Sequence, residues 1–231
     1  MGNDESQESA MRKFPTTAPI TTVLDIPVGR IQLIAADRSD ATVEVRPTDA
    51  SRSRDVKAAE RVEVAFGEGV LRVTAKAAEK RLLGHSGSVE VTVQLPVGSH
   101  VEAHAEAAEL RGVGRLGAVA FDGAYRRIKI DEAAGVRLTA VDGDVEIGRL
   151  EGPSEITTTR GDIRIAEAVR GTVALRTQSG DISIAAAAGV SAALDAGTGA
   201  GRVSNALRND GIAGLDIRAT TSHGDITARS L

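Results

Sequence analysis

A short phrase, Gly-Asp followed by an apolar-polar-apolar triplet, recurs along the second half of the chain. It is plainest as Gly143-Asp144-Val145-Glu146-Ile147, Gly161-Asp162-Ile163-Arg164-Ile165 and Gly180-Asp181-Ile182-Ser183-Ile184. A unit of about eighteen residues cannot bury its own apolar side and has to stack on copies of itself. Alternation after each Gly-Asp is that of a β-strand with one face inward. Together these features predict a β-solenoid.

The apolar pairs set the register: Leu110 with Val113, then Ile128/Ile130, Val145/Ile147, Ile163/Ile165, Ile182/Ile184, Val203 with Asn205, and Ile226 with Ala228. Successive first members lie 18, 17, 18, 19, 21 and 23 residues apart. A second series runs Val119/Phe121, Val136/Leu138, Ser154/Ile156, Val173/Leu175, Ala192/Leu194 and Leu215/Ile217, spaced 17, 18, 19, 19 and 23. The stretching toward the C-terminus reads as insertion at corners. Ala134, Leu150, Val169 and Ala188 mark a third inward position, giving three short faces per coil. Gly-Asp is read as the corner itself, since Gly tolerates positive φ and Asp accepts from turn amides. About six coils at roughly 4.8 Å each would make a rod of about 30 Å. Its open ends need covering.

Residues 14–98 are expected to supply one cover. Extended segments are predicted from Ile20 to Ile26, Arg30 to Ala35, Thr42 to Arg46, Arg61 to Phe66, Val70 to Thr74 and Ser88 to Leu95. The Phe66-Gly67-Glu68-Gly69-Val70 stretch reads as a hairpin. Asp49 to Glu60 reads equally as a helical turn or a mobile loop, and Glu79 to Gly87 as a surface loop. Residues 1–13 are set aside as a disordered extension, with Met1 and Met11 both acceptable starts, and 99–231 as the repeat array. The fold class expected is all-β, a right-handed solenoid of 17–23-residue coils capped by an N-terminal β region.

Composition fits a narrow aliphatic tube. The only aromatic residues are Phe14, Phe66, Phe121 and Tyr125. A net charge of -4, with 28 basic and 32 acidic residues interspersed, gives no basic stripe for nucleic acid. Zero cysteines exclude disulfides and thiol chemistry. The opening residues have no secretory pattern, and no apolar run reaches membrane-spanning length, so a cytoplasmic location is expected, with envelope association left open.

The segment Ser88-Val89-Glu90-Val91-Thr92-Val93-Gln94-Leu95-Pro96-Val97-Gly98-Ser99, followed by recurrent Gly-Asp-Ile-x-Ile turns, resembles a bacterial β-strand-repeat family of unknown function labelled adhesin-like. The resemblance covers roughly residues 15–231, including Ile26-Pro27-Val28-Gly29-Arg30-Ile31. It implies the fold and carries over no catalytic residue.

Five constellations bear on chemistry. His100, Glu102, His104 and Glu106 share one strand face and suggest two imidazoles and a carboxylate around a metal, against the reading of a solvated face. Asp144, Asp162 and Asp181 form a carboxylate ladder that suits either calcium or turn amides. Arg160-Gly161-Asp162 spells the integrin-binding tripeptide, with Gly and Asp already explained by the repeat. Asp142 and Asp144 imitate a glycosidase pair, and Ser222, His223 and Asp225 a hydrolytic triad. In each case the structural reading is preferred, so no catalytic, cofactor-binding or metal residue and no cofactor is assigned. The expected function is a non-enzymatic scaffold or protein-interaction module. A polysaccharide-binding or polysaccharide-active β-helix is the alternative. A protein partner is expected on the solenoid faces, and a last coil near Leu231 would be open to pairing with a second copy.

Overall fold

The structure is a computed structural model and describes residues 11–75, 87–125 and 127–231. The expected N-terminal extension up to residue 10 and most of the loop Glu79 to Gly87 lie outside them. In chain order the elements are β1 (Arg12–Pro15), β2 (Thr21–Asp25), β3 (Val28–Ala36), β4 (Asp40–Pro47), α1 (Ser53–Glu60), β5 (Val62–Gly67), β6 (Val70–Ala75), β7 (Val89–Pro96) and β8 (His100–Ala105). There follow β9 (Ala107–Tyr125), β10 (Ile128–Asp142), β11 (Val145–Leu150), β12 (Ser154–Arg160), β13 (Ile163–Ala168), β14 (Gly171–Ser179), β15 (Ile182–Ala186), β16 (Ala192–Ala200), β17 (Val203–Ala206), β18 (Leu215–His223) and β19 (Ile226–Ser230).

These strands build two facing ladders, mostly parallel, of a β-solenoid-like fold. The first runs β1, β4, β7, β3, the first part of β9, the first part of β10, β11, β13, β15, β19, β17. The second runs β5, β6, β2, β8, the rest of β9, the rest of β10, β12, β14, β18, β16. The two long strands β9 and β10 bend to serve both. Each rung is therefore a pair of strands joined by corners, where the sequence suggested three faces.

Register follows the apolar pairs. Ile128, Val145, Ile163, Ile182 and Ile226 stack as one inward column, with Ile130, Ile147, Ile165, Ile184 and Ala228 beside it. All ten are at most 1% exposed. Burying one such aliphatic side chain is worth about 1.5–3 kcal/mol, so these columns are the principal favourable term in the fold. In the second ladder Val136, Ser154, Val173, Ile217 and Leu194 are aligned. The sequence register placed Leu215 and Ala192 there, two residues off. A two-residue slip keeps every side chain on its own face, so alternation cannot detect it. The third inward column is Leu116, Ala133, Leu150, Ala168 and Ala186. Only Leu150 of the expected set belongs to it, because irregular pairing between Ile130 and Glu132 and between Ile165 and Ala168 shifts the phase.

The order of the rungs at each end departs from the order of the chain. β18 lies between β14 and β16, and β19 between β15 and β17. The last rung in sequence, 215–230, is thus inserted beneath the rung 192–206. At the other end β2 and β3 lie between β6/β7 and β8/β9. At each end of the stack one rung is tucked in from its place in chain order, 215–230 at one end and β2/β3 at the other. The 21-residue step from Ile182 to Val203 crosses the inserted rung, whereas the 23-residue step from Val203 returns to the adjacent Ile226 and carries the corner segment 207–214. The expected open coil near Leu231 is corrected by the same finding, since that rung is covered on both edges.

Residues 14–98 are a continuation of the stack as well as a cover. β2/β3 and β6/β7 share both ladders with the later rungs, while β5, β4 and β1 add antiparallel strands beyond them. β1 begins inside the stretch set aside as an extension. Phe14 and Phe66 meet at 5.4 Å between ring centroids, and the Arg12 Nη1 donates to the Val64 carbonyl at 3.2 Å, joining the two ladders at this end. Asp49 to Glu60 resolves into α1. A helix this short needs docking, and buried Asp55 supplies it by accepting the Ser88 N–H at 3.0 Å.

Two predictions arise here. Thr22, fully buried on β2, has a hydroxyl with no hydrogen-bond partner among the described residues. Thr22→Val keeps the shape and removes an orphaned polar atom, so urea unfolding should show stabilisation of about 1 kcal/mol. Asp40 is held at a pKa of about 2 by hydrogen bonds from Arg38 and Lys13. Its folded value lies below the unfolded one of roughly 3.9, so its contribution is present above that value and is lost as pH falls toward 2. Asp40→Asn should flatten the acid limb of the stability profile between about pH 4 and pH 2.

Candidate functional site

The corners form a continuous device along the stack. Gly143, Gly161, Gly180, Gly224 and Gly201 all have positive φ, from 132° to 155°. The following Asp does not serve its own turn. The Asp162 N–H donates to Asp144 Oδ1 at 2.9 Å, the Asp181 N–H to Asp162 Oδ1 at 2.8 Å, and the Asp225 N–H to Asp181 Oδ1 at 2.7 Å. Each carboxylate thus accepts from the next rung. In the final rung Arg202 stands where Asp would be, and its N–H donates to Asp225 Oδ1 at 2.8 Å. That bond, with the Arg202 guanidinium alongside, holds the Asp225 carboxyl below the usual carboxylate range. Asp162→Asn keeps an acceptor but loses the charge assistance, whereas Asp162→Ala removes both. Unfolding experiments should rank them wild type, Asn, Ala, with the Ala variant about 1–2 kcal/mol less stable than wild type.

A threonine column, missed in the sequence reading, completes the corner. Thr177, Thr221 and Thr198 donate to the carbonyls of Gly161, Gly180 and Gly224 at 3.2, 3.1 and 2.9 Å. A Thr three residues ahead of each of Gly161, Gly180, Gly201 and Gly224 was the available signal.

The remaining chemical candidates find structural employment. Asp142 pairs with Arg160 at 2.9 Å. Asp144 Oδ1 accepts the Asp162 N–H, so both members of the Asp142/Asp144 pair have a partner within the stack. The same contacts use the Arg and Asp of Arg160-Gly161-Asp162. Asp225 serves Arg202 rather than His223. On β8, His100 Nδ1 accepts the Ala118 N–H at 2.9 Å, which removes that lone pair from metal binding. His104 Nδ1 lies 3.9 Å from Asp122 Oδ2, with both side chains well exposed. No group of three or more His, Asp or Glu among the described residues is arranged to hold a metal ion.

What distinguishes one surface from another is how its charges are used. On the outer face of the first ladder, Arg30 pairs with Glu90 and Glu109 at 3.0 and 3.2 Å, Lys129 with Glu146 at 2.7 Å, Arg111 with Asp131 at 2.6 Å, and Arg149 with Glu167 at 2.5 Å. Most charge on this face is neutralised between rungs. The outer face of the second ladder carries Arg137, Glu155, Arg176, Arg218 and Asp195 among short residues such as Ala120, Thr139, Thr157 and Ala174. These five charged residues make no ion pair among the described residues. A shallow groove lined by Leu194, Asp195, Ile217 and Arg218 lies at its C-terminal end.

The family model Toastrack DUF4097 matches residues 19–229. No curated protein matches the chain. Among solved structures, one described as a putative adhesin from Bacteroides fragilis is similar with a TM-score of 0.51 and 13% identity, over 96% of this chain and 98% of that one. A further structure, from Parabacteroides distasonis and described as a putative lipid binding protein, has a TM-score of 0.46 and 13% identity over 94% and 96% of the two chains. The Bacteroides likeness agrees with the fold. No helix among the described residues is long and apolar enough to cross a membrane.

Proposed function

Since the chain belongs to the Toastrack DUF4097 family, a family of unknown function, we propose that it is a non-enzymatic scaffold that binds a protein partner on the outer face of the second ladder. The coil is taken as right-handed, as parallel crossovers are. The observation that carries this reading is the contrast between the two faces. Charges already paired across rungs offer a partner little, whereas Arg137, Glu155, Arg176 and Arg218 stand unpaired on a flat sheet of short side chains, where complementary charge steers and orients an approaching protein. The adhesin description of the Bacteroides fragilis relative agrees with a role in protein contact.

Capture from native lysate tests it. Arg137→Glu combined with Arg218→Glu should abolish recovery of the partner, because charge reversal on an exposed surface leaves the fold intact and inverts the field. Arg30→Glu, on the other face, should leave recovery unchanged. Equal recovery by all three proteins would sink the proposal.

A further inference from the structure

The two ends of the stack are built differently. At one end β5, β4 and β1 add antiparallel strands beyond β6/β7, Phe14 meets Phe66, and Arg12 ties β1 to β5. At the other end the rung of β16 and β17 is last in both ladders, and no strand lies beyond it among the described residues. All four residues of β17 are exposed, including inward-facing Val203 at 44%. Leu194 and Ala196 are only partly buried against the core. The segment after β17 closes one corner, where the Arg208 carbonyl accepts the Ala192 N–H, the Asp210 N–H donates to Ser191 Oγ and Leu207 packs against the core, and no strand among the described residues pairs with the outer edge of β16 or β17.

We propose that this end docks a second copy of the chain, C-end to C-end about a two-fold axis, forming a closed dimer. Three observations select that occupant. Head-to-tail stacking is blocked, because the opposite end presents antiparallel strands and an aromatic pair in place of a receptive parallel rung. Continued stacking of a like rung is also refused: each rung offers a carboxylate to the N–H of the next, and Arg202 replaces that carboxylate where the ladder stops. Exposed charges of both signs stand on this rung and its closing segment, Asp195 and Asp210 with Arg208 and with Arg202, the last also paired to Asp225 at 3.4 Å, which suits an isologous contact in which the same patch faces itself. A nine-residue strand about 30 Å long on a stack about 10 Å thick presents less than the ~800 Å² per partner of a standard interface. The dimer is therefore concentration-dependent.

This deepens the reading of the chain as an interaction module and is tested separately from it. Sedimentation equilibrium from the micromolar to the millimolar range should show a monomer–dimer equilibrium with no larger species. Val203→Lys, at an exposed position, should leave thermal unfolding of the dilute protein unchanged and weaken dimerisation at least tenfold. The chain has no cysteine, so Ser204→Cys treated with a short bismaleimide should yield a single cross-linked dimer band. A monomer at every concentration, a dimer indifferent to Val203→Lys, or a ladder of higher species overturns the proposal. Partner capture that depends on Arg137 and Arg218 but not on Val203 would leave the face reading standing whatever the dimer does.

Discussion

Gly161→Ala is expected to destabilise the protein by about 3 kcal/mol or more, although it adds a single methyl group at a solvent-facing corner. Two costs combine. The backbone at Gly161 has φ of 132°, a region in which an L-residue pays about 1–3 kcal/mol. The added Cβ would also lie 2.3 Å from the Gly143 carbonyl oxygen of the neighbouring rung. Neither atom can yield without opening the hydrogen bond between the Asp162 N–H and Asp144 that closes the corner. Gly189 provides the control. It too has positive φ, at 79°, but an added Cβ there has nothing within 4 Å, so Gly189→Ala should cost only about 1 kcal/mol. Urea unfolding of the two variants measures the difference. Equal losses would mean that the close approach between rungs contributes nothing.

Deleting 215–231 is expected to be more damaging still. In a stack that followed chain order, removing the last rung would merely expose the one before it. Here the deleted rung lies between β14/β15 and β16/β17 and fills the space with Leu215, Ile217, Ala219, Ile226 and Ala228, each at most 1% exposed. Its loss strands the rung 192–206 with no adjacent surface and breaks the carboxylate ladder between Asp181 and Arg202. The thermal midpoint should fall by more than about 10 °C, and amides of 192–206 should lose their exchange protection. A truncated protein that melts like the full chain, with 192–206 still protected, would show that the two rungs stack directly.

Much of the fold was legible in the sequence, and the reason is physical. Ile147, Ile165 and Ile184 could be aligned because strand alternation and the corner glycine both repeat. Strands from β2 to β7 could be placed within a residue or two because each is a run of alternating or β-branched residues between turn signals. What stayed hidden has one cause: equivalent rungs are interchangeable. Ile226 offers Ile182 of β15 the same kind of contact that Val203 would, so no pattern in the sequence says which rung comes next. Only the 21-residue step from Ile182 to Val203 hinted at it. That β2/β3 and β6/β7 join the same ladders was obscured because they lack the Gly-Asp corner. The candidate face was invisible for a different reason. Arg137 and Lys129 each lie in register beside a glutamate, Glu155 and Glu146, yet only Lys129 closes an ion pair, a difference of side-chain conformation that the sequence does not carry.

The central claim is the order in which the rungs stack, and paired cysteines in this cysteine-free chain read it directly. Ser183 and Thr227 are register neighbours, as are Thr227 and Ser204. Adjacent rungs put such Cα atoms about 4.8 Å apart, inside the roughly 4.4–6.8 Å that a disulfide spans, whereas rungs two apart lie near 10 Å. Under mild oxidation Ser183→Cys with Thr227→Cys should form an intramolecular disulfide, and Ser183→Cys with Ser204→Cys should not. The reverse outcome would place 192–206 directly on 171–186 and contradict the inserted order.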